Sequence, residues 1–127
     1  MATKTIVKPV KSPAAVGPYN HAVRAGDFLF CSGQIPINPQ DGSLVTGDIK
    51  AQTERVLENI KVILDDQGLR FANVVKSTVF LTSMADFVPM NDVYAKYFTA
   101  NYPARSTVQV AGLPKGARVE IEVIAHF

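Results

Sequence analysis

Arg105 follows Pro103-Ala104, and a proline there restricts the backbone and would hold the arginine in a defined place. A guanidinium presents a rigid fork that grips a carboxylate through two parallel hydrogen bonds. The same placement also suits a strand-end ion pair with a surface glutamate. Glu120 and Glu122 stand two apart in an otherwise apolar run, Val119 to Val123, and so share one face of a strand. A carboxylate there can act as a general base or orient a water, although a solvated strand face carries the same pattern. If the last two strands form a hairpin, Arg105, Thr107 and Gln109 share the face of Glu120 in one of two registers.

Tyr19, Ser32 and Asn91 are polar residues beside rigid segments, each able to hydrogen-bond a ligand or to serve a loop or helix edge. Gly33, after Ser32 at the end of a strand, offers either a turn or an exposed backbone carbonyl. Cys31 lies between Phe30 and Ser32 and fits a buried core position better than a nucleophile's. His21 and His126 have no motif around them. With one cysteine and two histidines, a four-ligand N/S zinc site is unavailable, and no metal or cofactor is expected. Phosphate-binding, dinucleotide-binding and nucleophile-elbow motifs are absent.

The elements that must position these residues are legible from periodicity. Thr3–Val7 and Asp27–Ser32 suit strands, the second apolar and aromatic. A Pro-rich loop runs between them, and a long loop spans Gly33–Gly47. Ile49, Val56, Leu57, Ile60, Ile63 and Leu64 form one stripe on a helix from Asp48 to Gly68. Val74–Thr82 alternates as a strand, with Val75, Ser77, Val79 and Leu81 on one face. Ser83 and Asp86 introduce a second helix carrying Met90, Val93, Tyr94, Tyr97 and Phe98, with Pro89 in its first turn. Strands at Arg105–Ala111 and Ala117–His126 close the chain. This order predicts an α+β fold with two helices on one face of a mixed sheet. Several strands are apolar on both faces, so the uncovered face is expected to meet another subunit.

The chain has 127 residues, 47% of them hydrophobic, which suits one domain over residues 1–127. Its formal charge of +2 comes from scattered residues, so neither nucleic acid nor an anionic membrane is expected as a partner. The start, Met1-Ala2-Thr3-Lys4-Thr5, lacks the apolar core of a secretory signal, and a cytoplasmic protein is expected.

Asn101-Tyr102-Pro103-Ala104-Arg105-Ser106-Thr107-Val108, Leu113-Pro114-Lys115 and Val119-Glu120-Ile121-Glu122-Val123-Ile124-Ala125 closely resemble the signature of the RidA/YjgF family. The likeness extends to Gly17-Pro18-Tyr19, Ser32-Gly33-Gln34-Ile35-Pro36, Gln52-Thr53, Leu57-Glu58-Asn59, Val75–Leu81 and Met90-Asn91-Asp92-Val93-Tyr94. The resemblance implies a chorismate-mutase-like fold and a barrel-like homotrimer with clefts between subunits. It implies hydrolysis of 2-iminobutanoate and 2-iminopropanoate, released by pyridoxal-phosphate dehydratases, to 2-keto acids and ammonia. It assigns Arg105 to the substrate carboxylate and Glu120 to the attacking water. Tyr19, Ser32, Gly33 and Asn91 match other pocket positions, Phe87 would help cover the cleft, and Thr107 stands where the family often has Cys. The family's other reported activity, endoribonuclease cleavage, and a non-catalytic role as a keto-acid sensor or chaperone are the competing readings.

Overall fold

The computed structural model describes residues 3–127. Met1 and Ala2, where the expectation about the chain's start begins, lie outside the described residues. The fold is a six-stranded sheet with two helices on one face. The strands are β1 (Lys4–Val7), β2 (Ala22–Ala25), β3 (Phe28–Gln34), β4 (Val74–Leu81), β5 (Ala104–Gln109) and β6 (Val119–His126). The helices are α1 (Ile49–Asp66) and α2 (Phe87–Tyr97). The sheet order is β1-β2-β3-β6-β4-β5, antiparallel throughout except for the parallel pair β4–β5.

Helix α1 forms where the apolar stripe predicts. Asp48 Oδ1 accepts the Ala51 N–H at 2.9 Å and caps the start. At the other end Gly68, at φ +70°, lets the Gly68 and Leu69 amides turn back onto Asp65 and Leu64. Val56, Leu57, Ile60 and Ile63 are fully buried against the sheet, which presents Leu29, Val79, Leu81, Val119, Ile121 and Ala125 from β3, β4 and β6. Three polar residues, Gln52, Thr53 and Asn59, are buried with them. Asn59 donates to the Ile37 carbonyl at 2.9 Å, and Gln52 donates to the Val45 carbonyl at 3.1 Å while accepting from the Arg118 amide at 3.0 Å. These bonds fasten the long loop before α1 onto the helix.

Four expectations change. A strand, β2, precedes β3 in a hairpin whose two-residue turn, Gly26-Asp27, has Gly26 at φ +59°. Second, β3 continues through Gly33 to Gln34, so Gly33 belongs to a strand rather than a turn. Cys31 pairs with Val123 and Gln34 with Ile121, which leaves one extra residue, a bulge, at Ser32-Gly33. Third, a bulge between Val74 and Lys76 turns Val75 outward, so that Val74 rather than Val75 is buried with Ser77, Val79 and Leu81. Fourth, β5 and β6 form no hairpin. β6 inserts between β3 and β4, because its run Val119, Ile121, Val123 and Ala125 is fully apolar on one face and suits a strand paired on both sides. β5, with the polar sequence ARSTVQ, takes the edge.

Asp86, 8% exposed at the start of α2, accepts from Arg118 Nη2 at 2.8 Å, tying that helix to the strand segment leading into β6. Arg118→Ala leaves a buried carboxylate without its cation. Because Arg118 is itself partly exposed, the expected cost is about 2 kcal/mol, below that of breaking a fully buried pair. Urea unfolding at fixed protein concentration measures it.

Candidate functional site

The helix-covered side of β5 holds one group of candidates. Arg105 lies in register with Ser77 of β4, and Ser77 is buried beneath α2. The arginine therefore rises beside α2, where its Nη1 donates to Asn91 Oδ1 at 2.8 Å. Its guanidinium carbon lies 4.7 Å from the centre of the Tyr94 ring and 5.7 Å from that of Phe87. A hollow of about 360 Å³ opens beside it, walled by Asn91, Tyr94, Phe98, Tyr102 and Pro103. Thr107, two residues along β5, has its hydroxyl buried and unpaired. No acidic side chain lines this hollow, and Arg105 makes no salt bridge among the described residues.

The uncovered side of the sheet holds the second group. Glu120 is in register with Phe80, whose neighbours Val79 and Leu81 point into the core, so Glu120 faces away from the helices. Its hollow, about 410 Å³, is walled by Tyr19, Ser32, Gly33, Ile35 and Pro114, with Glu122 at its edge. Glu120 is half-buried, and the loss of water, reinforced by the negative charge of Glu122, raises its pKa above the ordinary carboxylate range. No Lys or Arg lines this hollow.

The bulge gives Gly33 its purpose here. A Cβ on Gly33 would stand 2.8 Å from the Glu120 carboxyl carbon, so the carboxylate occupies the space that glycine leaves. Ser32 has its hydroxyl engaged, donating to the Asn20 carbonyl at 2.6 Å and holding the Tyr19 loop to β3. His21 extends that bracing: Nε2 contacts the Pro13 carbonyl and Nδ1 lies 3.3 Å from Gln34 Nε2. Cys31 is buried in the core, and desolvation pushes its thiol up to about 12, which leaves it no nucleophilic role near neutrality. His126 packs edge-on against Phe28 at 5.1 Å.

The structure thus gathers the candidates into two sets. Arg105, Asn91, Phe87 and Thr107 stand together, and Tyr19, Ser32, Gly33 and Glu120 stand together. The conditional hairpin that put Arg105, Thr107 and Gln109 on the face of Glu120 fails: β4 separates the two strands, and the two sets lie on opposite faces of the sheet. Tyr94 and Tyr102 were missed as site residues because helical spacing assigns the first to the core and nothing marks the second. The remaining signal was Ser77, a polar residue on a strand face otherwise carrying Val79 and Leu81.

The fold is that of a small α+β protein with a cationic hollow and a carboxylate hollow on opposite faces of its sheet. A family model described as Endoribonuclease L-PSP matches residues 9–127. The chain is 50% identical over 123 residues to a RutC family protein of Pyrococcus horikoshii, covering 97% of this chain and 98% of that one. It is 47% identical over 122 residues to the 2-iminobutanoate/2-iminopropanoate deaminase of Bos taurus, covering 96% and 89%. The crystal structure of E. coli TdcF with bound serine superposes with a TM-score of 0.92 at 43% identity, covering 97% and 98%. The chain belongs to the RidA/YjgF family.

Gly33→Ala is expected to leave thermal stability nearly unchanged, since the clash falls on the mobile end of a glutamate side chain and the backbone is unstrained. It should nonetheless displace the Glu120 carboxylate. A crystal structure of the variant, or a fall in the Glu120 pKa followed by carboxyl NMR as the group regains water, checks this.

Proposed function

We propose that the protein is a 2-iminobutanoate/2-iminopropanoate deaminase, working as a homotrimer whose clefts join the Arg105 set of one copy to the Glu120 set of the next. The observation that carries this reading is the complementarity of the two hollows. One holds a cation with no acid and the other a desolvated carboxylate with no cation. The apolar side chains on the uncovered face, Phe28 and Phe30 at 40% and 45% exposed, favour a second copy against that face. The deaminase name of the Bos taurus relative and the amino acid in the TdcF crystal support a small carboxylate-bearing ligand.

In this mechanism the substrate carboxylate takes the free donors of Arg105, which fixes the imine carbon near a water held by Glu120. Glu120 takes a proton from the water as its oxygen attacks the C=N carbon, and that proton passes on to the nitrogen, giving the carbinolamine and restoring the carboxylate. The carbinolamine hydroxyl then gives its proton to Glu120, which hands it to the amine nitrogen, and ammonia leaves as the C–N bond breaks and the C=O bond forms. The balance is one imino acid and one water to one 2-keto acid and one ammonia. Because the imine hydrolyses unaided in water, orientation and one base suffice.

A coupled assay tests the reading. A threonine dehydratase generates the imine, semicarbazide competes for it, and 2-ketobutyrate formation is followed. Wild type accelerates the reaction, and Arg105→Ala and Glu120→Ala each lower kcat/KM by about 100-fold or more, the usual contribution of a positioned base. No acceleration by folded wild type contradicts the proposal, and RNA cleavage persisting in Arg105→Ala would favour the endoribonuclease reading.

The pH profile adds a second check. Glu120 must be ionised to accept a proton, and its pKa is raised, so kcat/KM falls as pH drops through a value above the ordinary carboxylate range. Glu122→Gln removes the like charge and moves that acid limb to lower pH.

A further inference from the structure

Tyr94 and Ser77 stand out because the core would pack as well without their polarity. Ser77 is 0% exposed on a face of β4 otherwise made of Val74, Val79 and Leu81, and Tyr94 is 7% exposed. Two hydroxyls are buried there and bond to each other at 2.7 Å. Burying such a pair contributes little net stability over an apolar Ala–Phe pair of similar shape. It does fix the tip of the tyrosine ring, and it does so above the β4 residue that stands in register with Arg105. One face of that ring is stacked on Phe98, with centroids 4.3 Å apart and planes 21° apart. Phe98 is in turn held edge-on by Phe71 at 5.0 Å. Arg105 lies over the Tyr94 ring, with Phe87 on a further aromatic contact. The contacts run in a chain from Phe71 through Phe98 and Tyr94 to the Arg105 guanidinium.

We infer that Tyr94, its ring pinned by Ser77 and backed by Phe98, is the positioning residue that fixes the Arg105 guanidinium for carboxylate binding. Asn91 occupies one Nη1 donor and the aromatic contacts restrict the group's swing, so the remaining N–H donors face the hollow already aligned. Binding then loses less side-chain entropy than with a free arginine. The role rests on the carboxylate-binding reading of Arg105, and its physical part, the restraint of the guanidinium, is measurable without a ligand.

The experiment compares Tyr94→Phe, Tyr94→Leu, Ser77→Ala and Phe87→Leu in the full chain. In ligand-free protein labelled with ¹⁵N-arginine, restricted rotation of the Arg105 guanidinium should be weakened in Tyr94→Phe and Ser77→Ala, each of which unpins the tip of the ring but keeps it over the guanidinium, and be lost in Tyr94→Leu. For 2-ketobutyrate, Kd rises about tenfold in Tyr94→Leu, the effect of losing a partly desolvated cation–ring contact, and stays within about twofold in Tyr94→Phe. In the coupled assay the tenfold loss falls on KM, with kcat within about threefold. Adding Tyr94→Leu to Arg105→Ala brings no further loss of binding. Unrestricted rotation in wild type, equal losses in Phe and Leu, or additive losses with Arg105→Ala overturns the inference. If Tyr94→Leu does not fold, Phe87→Leu, at the partly buried ring 5.7 Å from the guanidinium, must show the same loosening and the same KM effect at smaller size. Wild type that restrains Arg105 but turns over no imine sinks the deaminase reading and leaves the positioning role standing.

Discussion

Side chains alternate across a pleated sheet, and β4 separates β5 from β6; together these two constraints govern what one chain can do. Arg105 shares the face of Ser77 and lies under α2, whereas Glu120 shares the face of Phe80 and looks away from both helices. No side-chain rotation carries either group through the sheet. The proposed chemistry therefore depends on copies of the chain meeting so that the cationic half of one completes the carboxylate half of another. Heterologous contacts of this kind close naturally into rings.

Each half is prepared by a local device. On the Glu120 side the bulge at Ser32-Gly33 opens space at the carboxylate, Ser32 and His21 brace the Tyr19 loop, and burial raises the basicity of the glutamate. On the Arg105 side α2 supplies Asn91 and Tyr94 from one helical face. The Asp86–Arg118 pair fixes where α2 starts relative to the segment entering β6. A carboxylate of raised pKa and a guanidinium with restricted freedom are both costly to keep in isolation, and both become useful when a substrate carboxylate and a water are placed between them.

Much of the fold was legible in the sequence because it rests on patterns that act locally. The stripe of α1, its Asp48 cap and its Gly68 stop specify that helix almost to the residue. β3 announces itself as a compact apolar and aromatic run, and β4 and β6 by apolar alternation. What escaped depends on pairing rather than on pattern. The Gly26-Asp27 turn was a readable hairpin signal, but β2 is only four residues long and half exposed. Bulges at Ser32-Gly33 and before Lys76 arise from register between strands distant in sequence. The placement of β6 between β3 and β4 is likewise a matter of topology, and it overturned the hairpin on which a shared face for Arg105 and Glu120 depended. Arg105 and Glu120 stood out by residue type and by family likeness, while Tyr94 was concealed by serving the core and the arginine at once.

Mixing inactive chains tests the central claim most directly. Arg105→Ala and Glu120→Ala chains, each inactive alone, are unfolded together in equal amounts, refolded and assayed for imine hydrolysis. In a ring of three with each cleft shared by neighbours, every hybrid ring contains one intact cleft, so the mixture should regain about a quarter of wild-type activity. Hybrid rings that form, as shown by mass spectrometry of the intact assemblies, but recover no activity would contradict the account, because Arg105 and Glu120 would then not act in a cleft shared between copies.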